Sequence, residues 1–205
     1  GETLGRAALY SINSLSWQAI LVGDPLYRPF AVSAEAQWEA RKKLPPEVET
    51  YARIRRMRQL TAVGRGDEAR ALGAAGLARN PSLPLALTLA NLQQSADDPA
   101  GVRRTLGIFD AMRRVRPADR ALFLSAARAG QAAGDPALAL RLVTRLLDDA
   151  KAPRDFRIAV LPYASELART QGDTARAASW AAEHATLTAP PPPPAPAASA
   201  TPAKS

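Results

Sequence analysis

The sequence predicts an all-α chain built mainly from about four antiparallel helix pairs stacked in series, an α-solenoid. Three observations carry this. First, the element Gly-Asp-x-Ala-x-Ala occurs at Gly66–Ala71, Gly134–Ala139 and Gly172–Ala177. Its first two copies start 68 positions apart (66 to 134) and the last two 38 apart (134 to 172); the larger gap is twice a helix-pair period of about 34. Second, Pro81, Pro117, Pro153 and Pro190 fall at the breaks between the expected pairs. A proline stops the helix behind it and can open the one ahead. Third, no stretch between Ala34 and Ala189 alternates as a strand does.

Taken in order, residues 1–33 differ from the rest. Leu4, Ala7, Ala8 and Ile12 recur at helical spacing, which predicts a short helix over Glu2–Ser11. Trp17–Val22 reads as a buried strand, and Gly23-Asp24-Pro25 stops it because these residues favour turns. Leu26–Phe30 follows as an extended exit. One helix and one strand cannot bury their own apolar faces, so this region is expected to close an α/β domain whose other strands lie outside this sequence. The chain opens Gly1-Glu2-Thr3 with no initiating Met and no signal-peptide pattern. It therefore reads as the C-terminal part of a longer protein, with its localisation open.

A helix over Ala34–Leu44, ended by Pro45-Pro46, makes residues 34–46 a connector. The helix pairs then occupy 47–189: Glu47–Val63 with Glu68–Arg79, Leu83–Ser95 with Ala100–Val115, Ala118–Ala133 with Pro136–Ala150, and Asp155–Gln171 with Thr174–Leu187. At each junction glycine accepts the left-handed conformation that ends one helix, and aspartate caps the next. A weaker element, Asp97-Asp98-Pro99-Ala100, stands near the place of the missing copy. Residues 190–205 begin with five prolines and hold no large apolar side chain, which predicts a disordered or polyproline II tail.

The junctions resemble the centre of the tetratricopeptide repeat over roughly Glu47–Ala189. With Gly134 as turn glycine, Phe123 stands at the family's large first-helix position, Ala127 at its small one and Ala139 at the next small position. Leu161, Ser165 and Ala177 do the same in the fourth pair. In the first pair a register anchored on Gly66 puts Arg55 and Gln59 at the large and small positions, a departure from the pattern. The resemblance implies a degenerate tetratricopeptide-like stack that binds an extended peptide or a partner helix in a groove lined by first helices. In that register the groove-facing polar residues are Arg128, Gln131, Glu166 and Arg169. The segment Trp17–Phe30, with its Gly-Asp-Pro-Leu-Tyr-Arg-Pro-Phe motif, looks like the closing strand and exit of an uncharacterised bacterial α/β domain family. More distantly it is similar to the C-terminal edge of gingipain-like cysteine peptidase domains. Their catalytic His and Cys come from upstream strands, so no activity is carried over.

Chemistry-bearing constellations are sparse. The 205 residues contain no cysteine and one histidine, His184, which excludes a cysteine nucleophile and a His-built metal cage. There is no phosphate-cradling loop or dinucleotide fingerprint. Asp24 follows the expected strand, but no base or nucleophile accompanies it. A formal charge of +8, from 27 basic and 19 acidic residues, is compatible with nucleic-acid binding. The basic residues are spread along the chain and interleaved with acids, which argues instead for solvated helix faces. That applies to Arg103-Arg104, Arg113-Arg114 and Arg116, expected on one helix, and to Arg53, Arg55, Arg56 and Arg58. No stretch approaches a membrane span. The sequence thus points to a non-catalytic protein–protein interaction module needing no cofactor or metal. The alternative is a structural support for a parent hydrolase-like enzyme, which would show an apolar outer face near Trp38, Tyr51 and Met57.

Overall fold

The computed structural model describes residues 3–6, 26, 33–112 and 114–189. Residues 4–6 are helical. The strand expected over Trp17–Val22, Asp24 and the proline-rich tail lie outside the described residues. Within 33–189 the described structure is helical: α1 (Ala34–Ala40), a 3-10 turn (Arg41–Lys43), α2 (Pro46–Ala62), α3 (Gly66–Arg79), α4 (Leu83–Ser95), α5 (Pro99–Ala111), a 3-10 turn (Pro117–Asp119), α6 (Arg120–Ala132), α7 (Pro136–Leu147), α8 (Arg154–Thr170) and α9 (Thr174–Thr188). Helices α2 to α9 pack as four sequential pairs. Each pair also packs on the next, through α3–α4, α5–α6 and α7–α8 and directly between first helices, α2–α4 and α4–α6.

The pairs share one backbone device. Gly64, Asp97, Gly134 and Gly172 all have positive φ, at 78°, 54°, 75° and 78°. They lie 33, 37 and 38 residues apart (64 to 97, 97 to 134, 134 to 172). In each case the next amide reaches back to a carbonyl five residues earlier. Arg65, Asp98, Asp135 and Asp173 donate to Leu60, Gln93, Gly130 and Ala168 over 2.8–2.9 Å, the hydrogen bond of a Schellman turn. Three of the junctions then cap the following helix: Asp98, Asp135 and Asp173 side chains accept from the amides of Gly101, Leu138 and Arg176. Arg65 takes that place in the first junction and makes no cap; instead it holds Glu68 through two hydrogen bonds of 2.5 Å.

This corrects the register expected for the first pair. The turn residue is Gly64, whereas Gly66 opens α3. Counting eleven residues back, seven back and five on from each turn residue gives Arg53, Met57 and Ala69 in the first pair and Ala86, Ala90 and Val102 in the second. The third gives Phe123, Ala127 and Ala139, the fourth Leu161, Ser165 and Ala177. Eleven of these twelve are buried and Ser165 is half-buried. Ser165 donates its hydroxyl to the Ala177 carbonyl at 2.8 Å, so two of the equivalent positions touch. Arg55 and Gln59, two residues out of step, are exposed and half-buried.

Two clusters of buried side chains form the core. Ile54, Met57, Leu60 and Ala69 of the first pair meet Leu85 and Leu89 of α4. The other cluster runs from Leu83, Ala86 and Ala90 of α4 through to Trp180 of α9, so α4 buries side chains on both sides. In the larger cluster Phe109 of α5 and Phe123 of α6 meet edge to face, with ring centroids 5.2 Å apart. In the first pair the residue eleven before the turn is an arginine, and the partner helix adapts to it. Arg53 is 8% exposed and pairs with the equally buried Glu49 at 2.9 Å. A side chain added at Gly76 would fall on Arg53, and one at Gly73 on Met57. The two glycines of α3 are the space those residues occupy.

Helix α5 ends at Ala111, earlier than the expected Val115. Met112 is extended, and Arg116, which precedes Pro117, is extended too, as sterics before proline require. The freed end is closed from another helix: Arg145 of α7 donates to the carbonyls of Phe109, Asp110 and Met112 at 3.2, 2.6 and 2.8 Å. Other arginines act similarly. Arg157 donates to Leu147, Arg103 to Ala133 and Arg154 to Leu187, each carbonyl lying at or just past a helix end. Orphan carbonyls and the negative end of the helix dipole both favour a cation there.

Two substitutions test the junction device. Nothing lies within 4 Å of a side chain added at Gly134, so Gly134→Ala meets only the backbone penalty of positive φ. It should lower unfolding free energy by about 1–2 kcal/mol, and Gly134→Asn by less. Asp135→Ala should cost about 1 kcal/mol in thermal or urea unfolding through loss of the cap. Arg65→Ala at the equivalent place should shift the midpoint far less, since no cap is lost.

Candidate functional site

The four polar residues expected to line a groove do not form one cluster. Arg128 and Gln131 lie on α6, Glu166 and Arg169 on α8, and all four are exposed. Glu166 and Arg169 hold each other, with Arg169 donating through two nitrogens at 2.9 and 2.6 Å. That hydrogen bond keeps the Glu166 carboxyl below its ordinary pKa and the Arg169 guanidinium above its own. Arg128 instead crosses to α8, its guanidinium 5.7 Å from the centre of the Tyr163 ring. Gln131 makes no side-chain hydrogen bond among the described residues. The Tyr163 hydroxyl is buried and has no hydrogen-bond partner among them. Burial pushes its pKa up, against a smaller opposing effect of Arg128.

A more developed surface lies on the first three pairs. Glu47, Tyr51, Arg55 and Arg58 follow one another along α2 at intervals of four, four and three residues, which places them on a single stripe. Tyr51 is 62% exposed and Val48, beside it, 47%. Tyr51 borders three clefts. One, of about 580 Å³, lies towards the starts of α2, α4 and α6 and is walled by Pro81, Leu83, Pro84, Ile108, Met112 and Leu122, with Glu47 at its edge. The second, of about 590 Å³, runs between α2 and α4 past Arg55, Arg58, Leu87 and Asn91. The third, of about 400 Å³, separates Val48 and Tyr51 from Gln37 and Leu44. These volumes lie within the range of ligand clefts, about 300–1,000 Å³.

The structure separates the arginines that look alike in sequence. Arg53 is buried with Glu49, while Arg56 reaches Glu35 at 2.7 Å. Arg55 donates to the neutral amide of Gln37 at 3.2 Å. Arg58 makes no side-chain hydrogen bond or ion pair among the described residues. The two that line the second cleft therefore carry charge that no described carboxylate offsets. Arg103-Arg104 and Arg116 do not form one helical stripe, because α5 ends between them; Arg113 is not among the described residues. Arg116 pairs with the buried Asp119 at 2.6 Å.

Of the residues that would mark a support face, Met57 is fully buried and Trp38 half-buried, with Arg41 3.9 Å from its ring centre. Tyr51 alone of the three is exposed. Its stripe is legible in the sequence once α2 is assigned, but only the packing shows which turn of α2 faces α4. Among the described residues no three His, Cys, Asp or Glu side chains converge to hold a metal. No described helix is long and apolar enough to cross a membrane. No family model matches the chain, and no curated protein matches it.

The unpartnered hydroxyl gives a test of the α6–α8 contact. Removing a buried, unsatisfied group relieves its desolvation cost, so Tyr163→Phe should leave neutral-pH stability unchanged or raise it by up to about 1 kcal/mol. Because the folded-state pKa is raised, the neutral phenol favours the fold. That contribution is complete below the unfolded value of about 10 and is lost as pH rises through the folded value. Urea midpoints measured against pH should therefore fall less steeply above about pH 10 in the variant.

Proposed function

We propose that this chain is a non-catalytic protein–protein interaction module. In this reading the helix pairs are a degenerate tetratricopeptide-like stack, and the face made by α2, α4 and α6 is its binding groove, continued by Arg128 and Tyr163. The observation that carries the proposal is Tyr51: a large ring, mostly exposed, standing where three clefts meet. Exposed aromatic side chains that flank pockets are the side chains most enriched among energetically dominant interface contacts. The recurrent register from Gly64 to Gly172 supports the repeat reading, since each unit presents an equivalent first helix to the same side.

A second reading is favoured by the same patch. Val48 and Tyr51 could pack against a preceding domain of a longer polypeptide, making the helices a support. A photoreactive phenylalanine analogue at position 51 separates the two in the native host: crosslinks to a different protein support the module, crosslinks within one polypeptide the support.

With the crosslinked protein purified, Tyr51→Ala should weaken its binding about thirtyfold, the loss of a contact worth about 2 kcal/mol. Thermal unfolding should barely move, because the side chain is exposed. Joint replacement of Arg128, Gln131, Glu166 and Arg169 by alanine should weaken binding less, at nearly unchanged stability. Affinity indifferent to Tyr51→Ala would rule out the groove.

A further inference from the structure

We propose that the groove is charge-polarised and takes an extended segment in which acidic residues follow an apolar anchor at a fixed short distance. This rests on the reading of the α2–α4–α6 face as a binding groove. The argument is the stripe on α2. Its order is a carboxylate (Glu47), an exposed ring (Tyr51) and two guanidinium groups (Arg55, Arg58). No described carboxylate pairs with either arginine, and no described cation pairs with Glu47. The stripe therefore presents uncompensated charge of opposite sign on the two sides of an apolar centre.

Several other arginines hold a carboxylate. Arg120 pairs with Asp149 in the cleft lined by Arg114 and Lys151, Arg169 pairs with Glu166, and Arg116 pairs with Asp119 within the cleft that Tyr51 and Glu47 border. In each of these pairs a carboxylate offsets the guanidinium, whereas neither Arg55 nor Arg58 has such a partner among the described residues.

Geometry fixes the spacing. At about 1.5 Å rise per helical residue, Arg55 lies about 6 Å and Arg58 about 10 Å along the axis from Tyr51. An extended chain advances about 3.3 Å per residue. An anchor seated beside Tyr51, in the cleft walled by Pro84, Met112 and Leu122, thus brings the second to fourth residues beyond it over the arginines. Glu47, about 6 Å to the other side, selects against a carboxylate there and favours a lysine, an arginine or a free amine. The occupant is a peptide segment of the pattern basic or amino group, apolar or aromatic anchor, then two or more Asp or Glu within four positions.

The test is selection from random peptides of about twelve residues, roughly 40 Å when extended, displayed on phage and panned on the whole 205-residue chain. Enriched peptides are then synthesised with a fluorophore and titrated by anisotropy against the chain, Tyr51→Ala, and the double variant Arg55→Glu, Arg58→Glu. Both arginines are exposed and neither supports the core, so the double variant should unfold like the parent. The proposal expects acidic residues two to four positions from the anchor. It also expects at least a tenfold loss of affinity in the double variant, and weakening with added salt, since exposed charges are screened. Enriched peptides with neutral or basic flanks, or binding lost with Tyr51→Ala but kept in the double variant, would overturn the charge pattern and leave the groove standing. No enrichment, or binding indifferent to Tyr51, would overturn the groove itself.

Discussion

The helix pairs depend on how the chain closes one helix and opens the next without leaving backbone groups unpaired. At the four turn residues a positive φ lets the following amide return to a carbonyl five residues earlier. Only glycine and, less readily, asparagine or aspartate accept that conformation at small cost. Once the turn is placed, the positions before and after it that must be buried are placed as well. The equivalence of Phe123, Leu161, Ala86 and Arg53 follows from the turn and does not rest on side-chain similarity. A large ring, a leucine, an alanine and an arginine hold the same place because the backbone, more than the side chain, sets the repeat.

The first pair shows what this permits. A buried arginine is costly unless paired, and Arg53 is accommodated by Glu49 one turn before it and by glycine on the facing helix. The result keeps the turn geometry of the other pairs while setting a buried ion pair beside the apolar cluster of Ile54, Met57 and Leu60. The same chemistry gives many of the arginines a structural task. Arg103, Arg145, Arg154 and Arg157 are spent on carbonyls at helix ends, and Arg56, Arg120 and Arg141 on carboxylates. A guanidinium suits both tasks because its planar fork presents several donors at once. In the α2–α4 cleft, Arg55 and Arg58 have no described carboxylate partner and sit beside the exposed ring of Tyr51.

Much of the helical architecture was legible in the sequence. Prolines and Gly-Asp pairs bracket the helices to within a few residues, and the Asp caps at 98, 135 and 173 follow from residue type. Two features were not. The first junction offers both Gly64 and Gly66, and the repeated Gly-Asp pair favours the wrong one; φ at Gly64 resolves it, because a glycine followed by a cap-less arginine still makes the turn. The end of α5 was overextended because no glycine stands there. It is set by Pro117 downstream and by Arg145 from another helix, and the second is a tertiary contact that local pattern cannot show. The same limit governs the candidate site. Arg128 and Gln131 are exposed on α6 and Glu166 and Arg169 on α8, and the self-pairing of Glu166 with Arg169 and the stacking of Arg128 on Tyr163 depend on rotamers and neighbours. Arg55 and Arg58 read in the sequence as a solvated face and Tyr51 as part of the apolar outer face a support would show; that they border one cleft shows only once α4 is set against α2.

The central claim is that partners engage the side formed by the first helices. Amide chemical-shift mapping of the isotopically labelled chain, titrated with a bound peptide, tests it most directly. The account predicts that the largest shifts fall on Glu47–Arg58, Pro84–Asn91 and the residues around Leu122, with α3, α5 and α7 little changed. Shifts concentrated on α3, α5 and α7 would contradict it.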